Sequence, residues 1–515
     1  MRPAALRWWP AAVWIGCGIA LYAFLLRISL SRGMNSDGAN NALQGWDMLH
    51  GNVLLHGWII GDATYYTLEL PLYAFTEALF GLHMLTYHMV SALTYLIVVA
   101  CAAALAMTDS RGLARAARCL AVIAVLAAPL LTRSGVSFLL EQPDHTGTSA
   151  IMLASFLLID RAPGRRFTPP LLCVILCAGQ VGDATVRYVA VPAVLLVCAY
   201  RVLAARKIRT ADTAIMLAAA ASVPLASLIR AVMKHFGAFA MVPPTTKISP
   251  AGEWAHNAAV TVQNVRSLFG VLAAPGAVLG AAGAAFGLIC LLAALFGLGR
   301  VIWTWRTASR SEQLLCVAIV INTAVYVIST MAKPRNTYEI VAVLPFAAVL
   351  AARACVPARI AGAWRGRAAI AAAAVAALLP LTAAATPAPV TPTVVPVAAW
   401  LEAHGLTYGI AGYWDASAVA VQSADRVQVR AVVQPNGRIT PYAWETVPSW
   451  YNPFLHDATF VIGYPSGAGG NITLAMAERN FGRPAAVYQV AGRVIMVYKT
   501  NLLKEIPQIR ALPTG

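Results

Sequence analysis

Long runs of hydrophobic residues recur along roughly the first 390 positions of the chain. Each run is close to the ~20 residues that an α-helix needs to cross the hydrocarbon core of a bilayer. The pattern therefore predicts about eleven membrane-spanning helices, with a further apolar stretch at 67–82 predicted as a re-entrant or interfacial segment. The predicted spans are 8–30, 83–107, 114–132, 136–159, 168–182, 184–204, 212–233, 271–298, 313–332, 338–356 and 366–386.

The overall composition supports the same fold class. Of the 515 residues, 59% are hydrophobic and only 11% are charged, whereas soluble domains are about 45–50% apolar and about 25% charged. So little polar surface excludes a soluble enzyme, a disordered protein and a coiled coil. We predict a polytopic α-helical membrane protein with a membrane domain over 1–386.

The net charge of +17 would suggest nucleic-acid binding in a soluble chain, but its distribution along this chain indicates membrane topology. The segments on the side of the N-terminus carry 19 basic and four acidic residues, and the opposite loops carry ten of each. The positive-inside rule therefore predicts a cytoplasmic N-terminus, an uncleaved first span and an extracytoplasmic C-terminal tail at the cell membrane. No nucleic-acid partner is expected.

The tail differs in character from the rest of the chain. Four prolines make 387–396 a stiff linker, and 397–515 is predicted as an extracytoplasmic mixed α/β or α+β domain. Its apolar pattern favours helices at 397–404 and 472–481 and strands at 407–411, 427–433, 459–463 and within 485–498. All nine cysteines lie before the tail, and no spacing typical of a metal site is present, so no cofactor is predicted and metal dependence stays open.

The first outer loop, 31–82, is unusually polar for this chain and contains several acids. Ser36 is predicted to cap an amphipathic helix that lies at the membrane surface and ends at Gly51. Asp37 would lie in the first turn of this helix, where the helix dipole favours a carboxylate. An ordinary role at a helix start is the alternative interpretation of Asp37.

Further charged residues fall at the outer ends of different spans. Ionisable groups at that depth are costly and usually mark a functional site or pathway, although a structural ion pair is an equally good interpretation of any one of them. Carboxylates can accept a proton, and cationic side chains can bind phosphate. The candidates for substrate binding are Asp144, His145, Arg187, Lys333, Arg335 and Tyr338.

These motifs resemble those of the GT-C glycosyltransferases, most of all the lipid-linked-sugar enzymes of the aminoarabinose-transferase and protein O-mannosyltransferase type. Asp37 precedes the stretch Tyr65-Tyr66-Thr67-Leu68-Glu69-Leu70-Pro71-Leu72, and the Lys333-x-Arg335-x-x-Tyr338 stretch is similar to the family's late-span motif. The chain departs from the family in having Gly38 rather than a second adjacent acid, and Glu69-Leu70-Pro71 rather than Glu-Lys-Pro-Pro.

The resemblance implies a sugar transfer from a polyprenyl-phosphate donor to a glycan, lipid or protein acceptor at the outer membrane face. Asp37 would act as the general base and Glu69 as a second acid that orients the acceptor or the loop. Lys333 and Arg335 would bind the donor phosphate. Two alternatives stay open: a GT-C-like envelope protein without catalytic activity, and a transporter of lipids or small molecules.

Overall fold

A computed structural model describes residues 5–141, 144–206, 208, 210–244, 246–271, 279–467 and 471–509. The chain folds into two compact units. The helical unit comprises Met1–Ser31, Ser91–Ile229 and Thr245–Pro389, and the mixed unit comprises Arg32–Val90, Arg230–Pro244 and Val390–Gly515. The first outer loop and the C-terminal tail thus contribute to the same unit.

The helical unit is built mostly from long apolar helices. Two of them, Met84–Ala106 and Ala211–His235, have residues in both units. Short 3₁₀ turns at Ala128–Leu131, Ala251–Glu253 and Tyr338–Ile340 and a π-helical stretch at Ser137–Glu141 join some of them. The α-helices are Ala5–Ser29, Met84–Ala106, Leu113–Ala127, Arg133–Val136, Thr146–Arg161, Thr168–Gly182, Thr185–Tyr188, Ala190–Ala205, Ala211–His235, Trp254–Leu268, Gly280–Trp303, Arg310–Ile328, Val343–Cys355 and Ala363–Ala384.

Nine helical segments within the described residues are long and apolar enough to cross a membrane. This confirms the predicted fold class but not the predicted count of eleven. The predicted span 136–159 is interrupted, because the π-helical stretch ends at Glu141 and the α-helix Thr146–Arg161 has only 16 residues. The predicted span 168–182 is the helix Thr168–Gly182, whose 15 residues extend about 22 Å. The start of the predicted span 271–298 lies outside the described residues.

The mixed unit contains two small sheets and several shorter helices. Its strands are β1 (Ile59–Ile60), β2 (Ala240–Met241), β3 (Tyr408–Gly412), β4 (Gln428–Val433), β5 (Thr440–Pro441), β6 (Phe460–Gly463), β7 (Ala486–Val490) and β8 (Arg493–Val497). Its helices are Ser36–Leu49, Glu69–Phe80, Val394–Ala403, Tyr413–Gln422 and Leu474–Phe481, with 3₁₀ turns at Pro435–Gly437, Pro448–Tyr451 and Leu502–Lys504.

The larger sheet of the mixed unit has the strand order β5-β4-β3-β6-β8-β7. β3 is parallel to both β4 and β6, and the helix Tyr413–Gln422 starts directly after β3. In parallel α/β sheets, ligand sites lie beyond the carboxyl ends of the strands. Tyr413 therefore stands at the edge of the sheet where a ligand site is expected.

The helix Ser36–Leu49 packs into the same core as the tail. Its apolar residues Ala39 and Leu43 share one buried cluster with Ala416 and Val419 of the helix Tyr413–Gln422. Its polar side chains Asn40, Asn41 and Gln44 are buried as well. Because buried polar groups need hydrogen-bond partners, this composition points to a packed polar site at the start of the helix.

Candidate functional site

The start of the helix Ser36–Leu49 is fixed by two side chains. The predicted cap, Ser36, is wrong: Asn35 is the N-cap, and its side chain accepts a hydrogen bond of 2.9 Å from the backbone N–H of Gly38. Ser36 is fully buried, and its hydroxyl donates instead to the carbonyl of Tyr413 at 2.5 Å. The start of this helix is therefore tied directly to the start of the helix Tyr413–Gln422.

Asp37 belongs to a largely buried group that we call the acid cluster: Asp37 and Tyr413, which are half-buried, and Asn40, Ser417 and Glu445, which are buried. The hydroxyl of Tyr413 contacts Oδ1 of Asp37 and lies 3.1 Å from Oε2 of Glu445. Nδ2 of Asn40 donates to the same Glu445 oxygen at 2.9 Å, and the hydroxyl of Ser417 donates to Oδ1 of Asn40. Two carboxyl groups thus contact the same phenol hydroxyl.

Burial and hydrogen bonding act in opposite directions on Asp37. Burial raises the pKa of the Asp37 carboxyl above its usual value, and the hydrogen bond from Tyr413 opposes that rise. Burial and the nearby carboxyls of Glu445 and Asp37 raise the pKa of the Tyr413 phenol far above its usual value. Tyr413 therefore keeps its proton and serves as a hydrogen-bond donor. A carboxylate with a raised pKa is suited to general-base chemistry near neutral pH.

Glu69 is the first residue of the helix Glu69–Phe80 and is buried. It shares a buried helix face with Tyr73 and Glu77, at a spacing of four residues. The helix packs on Ser36–Leu49 where Gly45 approaches Tyr73: a Cβ on residue 45 would lie 2.6 Å from Cβ of Tyr73. The structure thus places Glu69 in the same unit as Asp37, and its predicted role stays a prediction.

The predicted phosphate-binding cations lie on one loop of the helical unit. Asn264 holds this loop: its Nδ2 donates to the carbonyl of Lys333 at 2.9 Å, and its Oδ1 accepts from the backbone N–H of Arg335 at 3.2 Å. Tyr326 donates to the carbonyl of Asn336 at 2.7 Å. The backbone of Arg335 is left-handed, with φ 68°, an uncommon conformation for a residue with a side chain. The loop is therefore held in a specific shape by residues of two helices.

The side chains of Lys333 and Arg335 are exposed, and neither forms an ion pair with any residue that the structure describes. Unpaired cations beside a backbone held in this way are available to bind an anion. Arg187 is likewise exposed, on the four-residue helix Thr185–Tyr188. Tyr338 starts a 3₁₀ turn after the loop, and its ring lies edge-on to Phe138 with 6.4 Å between centroids.

His145 is engaged by carboxylates rather than by solvent. Its Nδ1 lies 2.6 Å from Oδ2 of Asp183, which also accepts from the hydroxyl of Thr148 at 2.5 Å, and its Nε2 lies 3.8 Å from Oε2 of Glu339. Burial acts to lower the pKa of His145, but the charges of Asp183, Glu339 and Asp144 hold that pKa well above its usual value. The imidazolium of His145 therefore forms a buried ion pair that joins the ends of three helical segments.

The charged residues described above stand out in the sequence, whereas several of their partners do not. Tyr413 and Glu445 were not singled out as site residues, because each lies more than 370 positions from Asp37 in a tail whose local pattern carries no sign of this contact. Asn264 is an uncharged residue within a helix and gave no signal. Among the described residues, no group of three or more His, Cys, Asp or Glu side chains is arranged to hold a metal ion.

The fold as a whole has solved counterparts. ArnT from Cupriavidus metallidurans in the apo state matches with a TM-score of 0.57 at 13% identity, over 97% of this chain and 100% of that chain. The same protein bound to undecaprenyl phosphate matches with a TM-score of 0.57 at 13% identity, over 96% and 99% respectively. No family model and no curated protein sequence matches the chain. The resemblance to the aminoarabinose-transferase type of GT-C enzyme is thus confirmed at the level of the fold: the chain is a multi-pass membrane protein with the ArnT fold.

Proposed function

We propose that this protein is a membrane glycosyltransferase that moves a sugar from a polyprenyl-phosphate donor to an acceptor hydroxyl at the outer membrane face. The observation that carries the proposal is the half-buried carboxyl of Asp37, placed at the start of a helix and hydrogen-bonded by Tyr413. The ArnT fold supports it, since one matching chain is ArnT bound to undecaprenyl phosphate. The N-terminus lies in the cytoplasm and the mixed unit's tail lies outside, as the charge distribution predicts.

In the proposed reaction, the acceptor oxygen attacks the anomeric carbon while Asp37 takes the proton of the acceptor hydroxyl. The bond between the anomeric carbon and the phosphate oxygen breaks, and the polyprenyl phosphate leaves with the bonding electrons. Attack from the opposite face inverts the configuration at that carbon. Phosphate is a good leaving group, so the reaction needs no strong general acid.

The exposed cations of the loop support the donor side of this proposal. Lys333 and Arg335 would bind the phosphate and stabilise the charge that grows as it leaves. Asn264 supports this role, because its two hydrogen bonds to the backbone of Lys333 and Arg335 hold the loop that carries both cations. Arg187 is a further exposed cation for the same role. Glu69 would orient the acceptor.

The test is the substitution Asp37→Asn, assayed for transfer from labelled polyprenyl-phosphate sugar in membranes. Loss of a general base typically costs 10²–10⁴-fold in rate, and we expect a loss in that range. Asp62→Asn is the matched control, since Asp62 lies in the same loop and hydrogen-bonds only to its neighbouring backbone in the contacts seen here. Full activity of Asp37→Asn would overturn the assignment of the base.

A further inference from the structure

Two loops of the helical unit, 107–112 and 356–362, are joined by hydrogen bonds. The backbone N–H of Arg111 in the first loop donates to the carbonyl of Ala358 in the second at 3.2 Å. The guanidinium of the buried Arg118 donates to another carbonyl of the second loop at 2.9 Å. The two loops, which are far apart in the sequence, are therefore held next to each other.

The helices that follow these loops, Leu113–Ala127 and Ala363–Ala384, also meet at their first turns. Gly366 allows this approach, since a Cβ on residue 366 would lie 2.5 Å from Cδ1 of Leu113. Each helix belongs to a segment that is long and apolar enough to cross a membrane. The two loops therefore lie where these spans leave the hydrocarbon core, at the level of the lipid headgroups.

Five arginines of this region are exposed, and none of them forms an ion pair with any residue that the structure describes. We call them the arginine patch: Arg111, Arg115, Arg359, Arg365 and Arg367. Asp109 is the only acid of the sequence within 107–118 and 354–370, and it contacts the buried Arg118. The patch thus has a positive charge that no acid of these two segments neutralises.

Other arginines that are predicted to lie on the same side of the membrane are paired with acids. Arg310 and Arg201 lie 2.8 Å and 3.7 Å from the carboxylate of Asp212. Arg300 contacts Glu312 in the same way. The positive-inside rule accounts for the side on which all these arginines lie. It does not account for five unpaired arginines on two loops that are bonded to each other, and this arrangement fits an anionic partner.

The patch is accompanied by exposed apolar side chains. Trp364, which directly precedes Arg365, is 77% exposed, and Leu113 is 42% exposed. Tryptophan is enriched at the ends of membrane spans, where its ring lies at the level of the headgroups. A phospholipid offers phosphates to the cations and apolar chains to Trp364 and Leu113. This combination favours a lipid over an acidic protein as the partner.

We propose that the arginine patch binds the headgroup of an anionic phospholipid in the leaflet predicted to be cytoplasmic, and that it prefers a headgroup with two phosphates, as in cardiolipin. Guanidinium groups bind phosphate oxygens through paired hydrogen bonds. The patch draws its arginines from two segments of the chain, so each segment can bind one phosphate. No residue of the patch has a role in the proposed sugar transfer, and the two proposals can fail independently.

Native mass spectrometry of the purified full chain, titrated with cardiolipin in detergent, measures this binding directly. An arginine near a headgroup typically contributes about fivefold in affinity. The triple variant Arg111→Gln, Arg359→Gln, Arg365→Gln should therefore bind cardiolipin about 100-fold more weakly at low salt.

The matched control is the triple variant Arg161→Gln, Arg165→Gln, Arg166→Gln. It removes three exposed arginines from another loop that is predicted to lie on the same side, so both variants lose the same charge. We expect the control to bind cardiolipin within about twofold of wild type. Equal losses in the two triple variants would overturn the proposal.

Lysine substitutions separate the effect of charge from an effect on folding. The variant Arg111→Lys, Arg359→Lys, Arg365→Lys keeps all the charges, and it should bind cardiolipin at least about tenfold more tightly than the glutamine variant. If the lysine and glutamine variants bind equally weakly, the charges of the patch do not hold the lipid and the proposal fails.

The wild-type chain alone decides the question if the variants do not insert into membranes. We expect cardiolipin to bind more tightly than phosphatidylglycerol, which has one phosphate, and both to bind more tightly than zwitterionic phosphatidylethanolamine. High salt should reduce these differences. Equal binding of cardiolipin and phosphatidylethanolamine would overturn the proposal. A polyglutamate peptide that binds as tightly as cardiolipin would identify the patch as a docking surface for an acidic protein instead.

Discussion

The ring of Tyr87 lies against the backbone of Gly38, so that a Cβ on residue 38 would be only 2.2 Å from Cε2 of Tyr87. Tyr87 is fully buried and cannot swing into solvent. This contact explains why the chain has no side chain at the position where the GT-C family it resembles has a second adjacent acid. A carboxyl of the tail, that of Glu445, lies near Asp37 instead, 3.1 Å from the same Tyr413 hydroxyl.

We predict that Gly38→Ala destabilises the mixed unit and lowers activity. The added methyl group must displace the Tyr87 ring or the helix that carries Asp37, and overpacking of this kind typically costs 1–3 kcal/mol. Thermal unfolding in detergent should show a lower midpoint, and transfer activity should fall because Asp37 moves relative to Tyr413. Gly33→Ala is the control, since its Cβ would meet nothing closer than 3.9 Å. Equal midpoints for the two variants would contradict the prediction.

A separate prediction concerns the loop of Lys333 and Arg335. Asparagine tolerates a left-handed backbone, so Arg335→Asn removes the charge with little change in conformation. We expect the affinity of this variant for polyprenyl phosphate to fall about tenfold, or about 1.4 kcal/mol. The difference in affinity between variant and wild type should shrink at high salt, because screening weakens the ionic contact.

Asn264→Ala should weaken binding similarly, because it frees the loop backbone while keeping both cations. Binding can be measured by calorimetry on purified protein. Arg165→Ala, which removes an exposed cation predicted to lie on the opposite side of the membrane, serves as the control. If Arg335→Asn binds the lipid as tightly as wild type does, Arg335 has no part in phosphate recognition.

Much of the fold could be predicted from the sequence because its signals are local. Nine long apolar runs correspond to helices of spanning length, and the strands Tyr408–Gly412, Gln428–Val433 and Phe460–Gly463 lie within one residue of the predicted segments. The helix Tyr413–Gln422 was missed. Its stretch Ala416-Ser417-Ala418-Val419-Ala420-Val421 consists of small and β-branched residues and gives no clear helical period.

The candidate site was predictable only in part, for a related reason. Charged residues are so rare in this chain that Asp37, His145 and Arg335 stand out against the apolar background. Their partners do not: Asn264 is one polar residue within a helix, and the contact of Asp37 with Tyr413 joins residues 376 positions apart. Contacts at such separations arise from tertiary packing, which the local pattern of a single sequence does not encode.

The ion pair of His145 and Asp183 gives a prediction about stability and pH. The folded pKa of His145 lies above its usual value of 6.5. The stability that His145 contributes is therefore fully present below pH 6.5 and is lost as pH rises through the folded pKa. The folded pKa of Asp183 lies below its usual 3.8, because the charge of His145 outweighs the opposing effect of burial. The stability that Asp183 contributes is therefore fully present above pH 3.8 and is lost as pH falls through the folded pKa.

Asp183→Asn should accordingly destabilise the protein most between about pH 4 and pH 6.5, the window in which both contributions are complete. Breaking a buried pair by removing one partner typically costs 3–5 kcal/mol. Unfolding midpoints measured across this range should show the largest gap from wild type inside the window. Glu253→Gln, at an exposed acid of the same unit, should show no gap. A gap that does not vary with pH would mean that the pair is not charged.

Glu77 gives a further prediction about stability and pH. Its contribution to stability should fall as pH rises, whereas that of an ion-paired carboxylate such as Asp183 falls as pH drops. The side chain is buried, and neither of its oxygens hydrogen-bonds within the part of the chain that the structure describes. Burial raises the pKa of its carboxyl to about 9, from 4.5. A folded pKa above the unfolded value stabilises the protein fully below pH 4.5, and that contribution is lost as pH rises toward 9. The neutral acid is therefore the form that the folded protein holds.

We predict that Glu77→Gln removes this dependence, because an amide of the same shape does not ionise. The variant and the wild type should unfold at similar temperatures near pH 4.5, and the variant should become progressively more stable than wild type as pH rises to 9. The comparison isolates Glu77 because every other titrating group is common to both proteins. A variant that is less stable than wild type at pH 9 would show that Glu77 is ionised in the folded state and pairs there with a cation.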